Sequence, residues 1–161
     1  MKLLPINYRL WPINYIIKKK KIIDSKETHQ VRHPVLRAEK PVESCVFNGD
    51  DLNTTIHIGI FVKDKLIGVC SFFKNNHDLI SEASQYQLRG MAILKAFQSF
   101  GFGKTILNYG ELHLKNEGIN TVWCNAREIA VSFYKKNGYQ ITGKPFNIET
   151  IGKHYIMYKK L

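Results

Sequence analysis

The chain has 161 residues, 44% of them hydrophobic and 23% charged, which suits one globular domain with a sizeable core and sets aside disordered and fibrous classes. Its net charge is +11, yet residues 1–40 carry ten Lys/Arg against three Asp/Glu while the other 121 carry fourteen against ten. The excess therefore marks a basic N-terminal segment, including Lys18-Lys19-Lys20-Lys21, rather than a cationic surface over the whole fold. Cys45, Cys70 and Cys124 are odd in number and widely spaced, as reduced thiols of a cytoplasmic protein would be, and no CxxC pattern points to a metal site.

Along the chain, Pro5, Asn7, Arg9 and Pro12 interrupt the opening apolar residues, so neither a signal peptide nor a membrane span is expected there. The doubled Pro-Ile-Asn-Tyr at positions 5–8 and 12–15 is too short to be a repeat architecture. A first strand is predicted within Tyr15–Asp24. A helix follows from Ser25, with Thr28, Val31 and Val35 on one side and Pro34 forcing a kink or restart. Lys40–Thr55 reads as a loop. Thr55–Val62 and Leu66–Phe73 form a predicted hairpin, and after a polar loop Tyr86–Leu94 is the next strand. Phe102, Ile106, Leu107, Gly110 and Leu114 recur at helical spacing before the stop at Gly118. Thr121–Asn125 is a short strand and Glu128–Asn137 a helix ended by Gly138. Strands over Tyr139–Thr142 and His154–Lys160 close the chain, joined by a loop holding Gly143, Pro145 and Gly152. This order predicts an α/β (α+β) fold with a mixed central sheet and helices on both faces.

The stretch QSFGFGKT, Gln98 to Thr105, opens the third quarter's helix and admits two anion-binding interpretations. Its end, Gly103-Lys104-Thr105, is like the tail of a P-loop, but Gln98 stands where GxxxxGK[ST] needs its first glycine. The following strand also ends in Asn125 rather than in an acidic magnesium ligand. The dinucleotide pattern GxGxxG fails at Ile106. Read from its start, Gln98-x-x-Gly101-x-Gly103 is a glycine-rich helix entry whose amides suit a pyrophosphate, with Lys104 adding charge.

Tyr86-Gln87-Leu88-Arg89-Gly90-Met91-Ala92-Ile93-Leu94, the Gln98-x-x-Gly101-x-Gly103 loop, Asn125 and Ser132-Phe133-Tyr134-Lys135-Lys136-Asn137-Gly138-Tyr139 occur in this order and spacing. Together they resemble the GCN-five-related N-acetyltransferase (GNAT) superfamily, over roughly Ile22 to Leu161. Val31-Arg32, Val35-Leu36-Arg37, Cys45-x-Phe47-x-Gly49-Asp50-Asp51, His57 and Gly152-Lys153-His154-Tyr155-x-Met157 resemble its ElaA-like branch. The resemblance implies a single acetyltransferase domain over residues 22–161, preceded by a basic N-terminal extension over residues 1–21 that is either an extra strand or flexible. It also implies a sheet of about six to seven strands splayed between the fourth and fifth.

The resemblance further implies direct acetyl transfer from acetyl-CoA to an amine of a small molecule or peptide. Backbone groups near Met91, Ala92 and Ile93 would pair with the pantetheine arm. Gln98, Ser99, Phe100, Gly101, Phe102, Gly103, Lys104 and Thr105 would hold the pyrophosphate. Asn125 would either contact the cofactor or cap the next helix. Tyr134 matches the family's general acid near the thioester sulfur, although as a residue it also fits the buried face of a helix beside Phe133. No Asp or Glu lies on the strand Tyr86–Leu94, so Glu43, Glu82, Asp50, Asp51 and His154 are the candidate bases. Asp50 and Asp51 form either a turn or a site for an acceptor cation; His154, like His57, is either an acceptor-pocket residue or a satisfied sheet histidine. Acetyl-CoA and an amine acceptor are the expected partners, with homodimerisation open and neither membrane nor nucleic acid expected. The alternative is a protein without turnover that binds acyl-CoA, or one that binds nucleic acid through Tyr8, Trp11 and Tyr15 beside the lysine run.

Overall fold

The computed structural model describes residues 18–161, and the doubled Pro-Ile-Asn-Tyr with Tyr8, Trp11 and Tyr15 lies outside them. Strand β1 (Lys18–Ile22) leads into helix α1 (Ser25–Leu36), followed by strands β2 (Ile56–Val62), β3 (Lys65–Lys74) and β4 (Gln85–Ile93). Helix α2 (Phe102–Asn116), strand β5 (Thr121–Arg127), helix α3 (Val131–Lys136) and strands β6 (Gln140–Ile148) and β7 (Gly152–Lys160) complete the chain. The seven strands form one sheet in the order β1-β2-β3-β4-β5-β7-β6. Only β4 and β5 run parallel, as a crossover through α2 requires. The lysines of β1 pair along β2 at the sheet edge, where charge discourages further strand addition.

β2 and β3 are buried along almost their whole length because helices cover both faces of the sheet. Val31 of α1 packs with Ile23, Leu66, Val69 and Ala92 on one face. Phe102, Ile106, Leu107 and Leu114 of α2 pack with Ile58, Phe72, Leu88 and Val122 on the other. The β2–β3 hairpin turns in two residues, Lys63 and Asp64, whose φ values of 48° and 64° match the twist that tight hairpins need.

Two elements differ from expectation by more than their end residues. α1 runs through Pro34 unbroken to Leu36, because a proline two residues from the helix end removes only a last-turn donor. The loop expected after Thr142 is mostly strand: β6 continues to Ile148 against β7, with a register irregularity between Thr142 and Phe146 that absorbs Gly143 and Pro145.

α1, the 42–55 segment, β2 and β3 are fastened by one buried polar network. The Arg32 guanidinium, fully buried, donates to both carboxylate oxygens of Asp50 at 2.7 and 3.0 Å, to the Cys45 carbonyl at 2.8 Å and to Ser71 Oγ at 2.9 Å. His57 donates from Nε2 to the Asp50 carbonyl at 2.8 Å and accepts from Ser71 Oγ at Nδ1, 2.7 Å away. This corrects the expectation that Asp50 receives an acceptor cation. Both its oxygens are engaged by Arg32, and His57 is likewise a satisfied structural histidine. Removing one partner of such a pair leaves an uncompensated buried charge. Asp50→Ala is expected to lower unfolding free energy by roughly 3–5 kcal/mol, read as a shifted midpoint in urea denaturation.

Candidate active site

β4 and β5 pair over only three residues, Gln85 with Thr121, Tyr86 with Val122 and Gln87 with Trp123, and then part. Just beyond, β4 is bulged: Val69 faces Ala92 and Ser71 faces Arg89, so Gly90 and Met91 together oppose Cys70. Gly90 takes φ of 61°, and a Cβ there would lie 2.7 Å from Phe47 and 3.0 Å from Arg32 Nε. Only glycine satisfies both the backbone and the space.

Two cavities meet in the gap. The first, of about 420 Å³, lies between Leu88–Met91 and Cys124–Arg127 and is bounded by Arg37, Phe47 and His154. The second, of about 740 Å³, lies between Met91–Ile93, the loop from Gln98 to Lys104, and Phe133, Tyr134 and Asn137. Met91, Ile129, Ala130 and Tyr134 line both, making one cleft that passes from the α1 face of the sheet to the α2–α3 face.

Tyr134 stands at that junction. Its ring packs edge-on against Phe133 at 5.2 Å and Tyr139 at 5.3 Å between centroids. Burial foremost, with the Cys124 and Cys70 thiols beside it, holds its phenol well above the ordinary value of 10. Cys124, which shares a hydrogen bond with it, is pushed up to about 12 by burial. The Tyr134 hydroxyl is therefore protonated at neutral pH and able to donate.

The helix entry is shaped by its own bonds. Gln98 Nε2 donates to the Ile93 carbonyl at 2.9 Å, Ser99 takes φ of 68°, and Gly101 sits left-handed at 81° as the residue before α2. The first bond of the helix runs from Thr105 N to the Gly101 carbonyl, 3.1 Å, so the amides of Phe102, Gly103 and Lys104 precede it. Lys104 and Lys136 are the charged groups lining this cavity.

Other predicted residues separate. Met91, Ala92, Ile93, Gln98, Ser99, Gly101, Phe102, Gly103, Lys104 and Tyr134 line the second cavity, whereas Phe100 and Thr105 do not. Phe100 packs against the core near Phe102, with ring centroids 6.5 Å apart, and Thr105 Oγ1 returns to the Gly101 carbonyl at 3.0 Å. Asn125 is inside β5, so it caps no helix; it lines the first cavity. Asp51 bonds Ser25 Oγ in a different depression lined by Thr55 and His57, and Glu82 pairs with Lys160 at 2.6 Å. Glu43 lines neither half of the cleft. His154 does reach it: it is buried, faces the first cavity and stands directly across from Arg127 in the β5–β7 ladder. Its Nδ1 donates to the Gly152 carbonyl at 2.7 Å, which leaves Nε2 of the neutral ring as the acceptor.

Arg37, Arg89 and Arg127 also line the first cavity and were not singled out as site residues from sequence. The available signal is alternation: Arg89 follows Gln87 by two and Arg127 follows Asn125 by two, so each shares a sheet face with a cleft residue.

A family model described as acetyltransferase (GNAT) family matches residues 23–139. The chain belongs to the GNAT acetyltransferase family. YitI of Bacillus subtilis strain 168, an uncharacterized N-acetyltransferase, is 38% identical to this GNAT chain over 141 residues, covering 88% of it and 95% of YitI. Among solved structures, ElaA of Escherichia coli superposes with a TM-score of 0.68 at 15% identity, covering 89% of this chain and 99% of ElaA. A GNAT acetyltransferase from Elizabethkingia anophelis with acetyl-CoA bound gives 0.64 at 13% identity, covering 89% and 98%. These likenesses identify the sheet as the GNAT acyl-CoA N-acyltransferase fold, with the splay at β4 and β5. No helix among the described residues is long and apolar enough to cross a membrane.

Burial raises the phenols of both Tyr134 and Tyr139, the latter also hydrogen-bonded to Glu111. Unfolded tyrosines release their protons near pH 10 while the folded ones retain them, so the unfolded state binds fewer protons there. Stability is expected to fall as pH rises above about 10, measured by denaturant unfolding across the alkaline range, and Tyr134→Phe should flatten part of that slope.

Proposed function

We propose that this GNAT protein is an acetyl-CoA-dependent N-acetyltransferase acting by direct transfer on a primary amine. The single observation that carries this is Tyr134, a buried and protonated hydroxyl at the junction of two cavities of different character. The larger cavity suits a phosphate-bearing cofactor, because it combines the leading amides of α2 with Lys104 and Lys136. The parted edge of β4 at Met91, Ala92 and Ile93 suits the amide-rich pantetheine arm.

Acetyl-CoA supplies the acetyl thioester. The chain's own groups do the rest. Gln98 closes the loop, Gly101 turns it, and the amides of Phe102, Gly103 and Lys104 bind the pyrophosphate. His154 Nε2 accepts a proton from the acceptor amine, whose nitrogen lone pair forms the new C–N bond to the acetyl carbon. As the C–S bond breaks with its electron pair on sulfur, the Tyr134 hydroxyl gives that sulfur a proton. Asn125 lines the acceptor half of the cleft.

Tyr134→Phe is expected to lower kcat by about 10²-fold or more at neutral pH while leaving acetyl-CoA affinity nearly unchanged. Thiol release and calorimetric titration read the two quantities separately, and wild-type kcat in the variant would overturn the assignment. At Gly103, a Cβ would already stand 3.3 Å from Met91 Cε and 3.5 Å from Phe133. Gly103→Val should therefore weaken acetyl-CoA binding by roughly tenfold. Tight cofactor binding with no thiol release from any amine would mark a binding protein instead.

A further inference from the structure

The two halves of the cleft differ in charge, and the difference selects the acceptor. Arg37, Arg89, Arg127 and His154 line the first cavity, and none of the chain's 13 Asp and Glu residues does. Residues 1–17 contain no Asp or Glu, so that segment brings no side-chain carboxylate to neutralise these arginines. Among the described residues, Arg37, Arg89 and Arg127 form no ion pair. The nearby acid, Asp50, is already engaged by Arg32. Glu128, the residue after Arg127, pairs with Lys153 at 3.3 Å.

Arg89 is the most telling of the three. Its guanidinium lies 5.0 Å from the Phe47 ring centroid and 4.9 Å from that of Phe73. The two rings fix its orientation through their faces and use none of its N–H donors. Burial foremost lowers the pKa of this half-buried guanidinium, with the Arg32 charge acting in the same direction and Asp50 opposing it. A guanidinium held against two aromatic rings at the wall of a cavity, with no carboxylate partner among the described residues, is complementary to a carboxylate or phosphate. The phosphates of acetyl-CoA do not account for it, because the leading amides of α2 and the Gln98–Lys104 loop line the second cavity, beyond Tyr134.

We propose that the acceptor is an amine that itself carries an anionic group, a carboxylate or a phosphate, bound by Arg89 and Arg127 in the first cavity. This rests on the acetyltransferase function proposed above and replaces the cationic acceptor expected from Asp50-Asp51. Polycationic amines are disfavoured in the same cavity by like charge.

Matched pairs test the charge directly: free amino acids against their own amides, and aminoalkyl phosphates against the corresponding amino alcohols, with a polyamine as the cationic arm. Thiol release from acetyl-CoA should show kcat/KM higher for the anionic member by roughly tenfold to a hundredfold, the range of one charge-assisted contact. The phosphate and carboxylate arms distinguish which anion is favoured. Arg89→Gln should drive the anionic-to-neutral ratio toward one, mainly through KM, and Arg89→Lys should restore part of it. Equal rates for acid and amide, or preference for the polyamine, would overturn the proposal while leaving the acetyltransferase function intact. If no amine is turned over, calorimetric binding of N-acetyl amino acids against their amides decides the same point. Tighter binding of the acids supports the anion site, and equal binding overturns it.

Discussion

The parallel contact between β4 and β5 is limited to three residue pairs, and the arrangement of the cleft depends on that limit. A fully zipped parallel pair would bury its backbone groups in a continuous ladder and leave no passage between the two faces. Here the ladder stops at Gln87 and Trp123, and the Gly90 bulge bends β4 where pairing has already ended. Because strand side chains alternate, one opening gathers residues from both faces: Arg89, Asn125 and Arg127 from one, Leu88, Cys124 and Ala126 from the other.

The structural network around Arg32 and the acceptor half of the cleft share a wall. Phe47 carries Arg32 at 4.0 Å and Arg89 at 5.0 Å from its ring centroid, and Gly90 is pressed against both Phe47 and Arg32. One buried cation, neutralised by Asp50, supports a loop whose aromatic ring then orients a second cation that has no such partner. The contrast separates a structural arginine from one available to a ligand. The residue type is the same; the difference is whether a carboxylate reaches the guanidinium.

On the other face, α2 joins the cleft to the core. Gly110 lets the helix approach Phe72 closely, and Glu111 ties it to Tyr139 at 2.9 Å and Lys159 at 2.6 Å. The same helix presents its first amides to the larger cavity, so the anchoring of its middle fixes the position of its start. Tyr139 in turn packs against Tyr134, which connects the far end of the sheet to the hydroxyl at the junction.

Much of this was legible in the sequence because it is local. Period-3.6 spacing marked α2, the polar residues between Val62 and Leu66 marked the hairpin turn, and the glycines of Gln98-x-x-Gly101-x-Gly103 marked the helix entry that lines a cavity. What failed depends on partners distant in the chain. Asp50 reads as a turn or a cation site until Arg32, eighteen residues earlier, closes on it; Asn125 reads as either a cofactor contact or a helix cap until β5 continues past it to Arg127 against β7. Residues 143–148 looked like loop from their Gly and Pro, but a partner strand and an irregular register accommodated both. The order of the elements and the glycine-rich loop can be read from the chain alone, since they follow from periodicity and backbone freedom within a few residues. Which arginines of the cleft go without a carboxylate among the described residues follows from the fold, because pairing is set by distances between segments that the chain order does not contain.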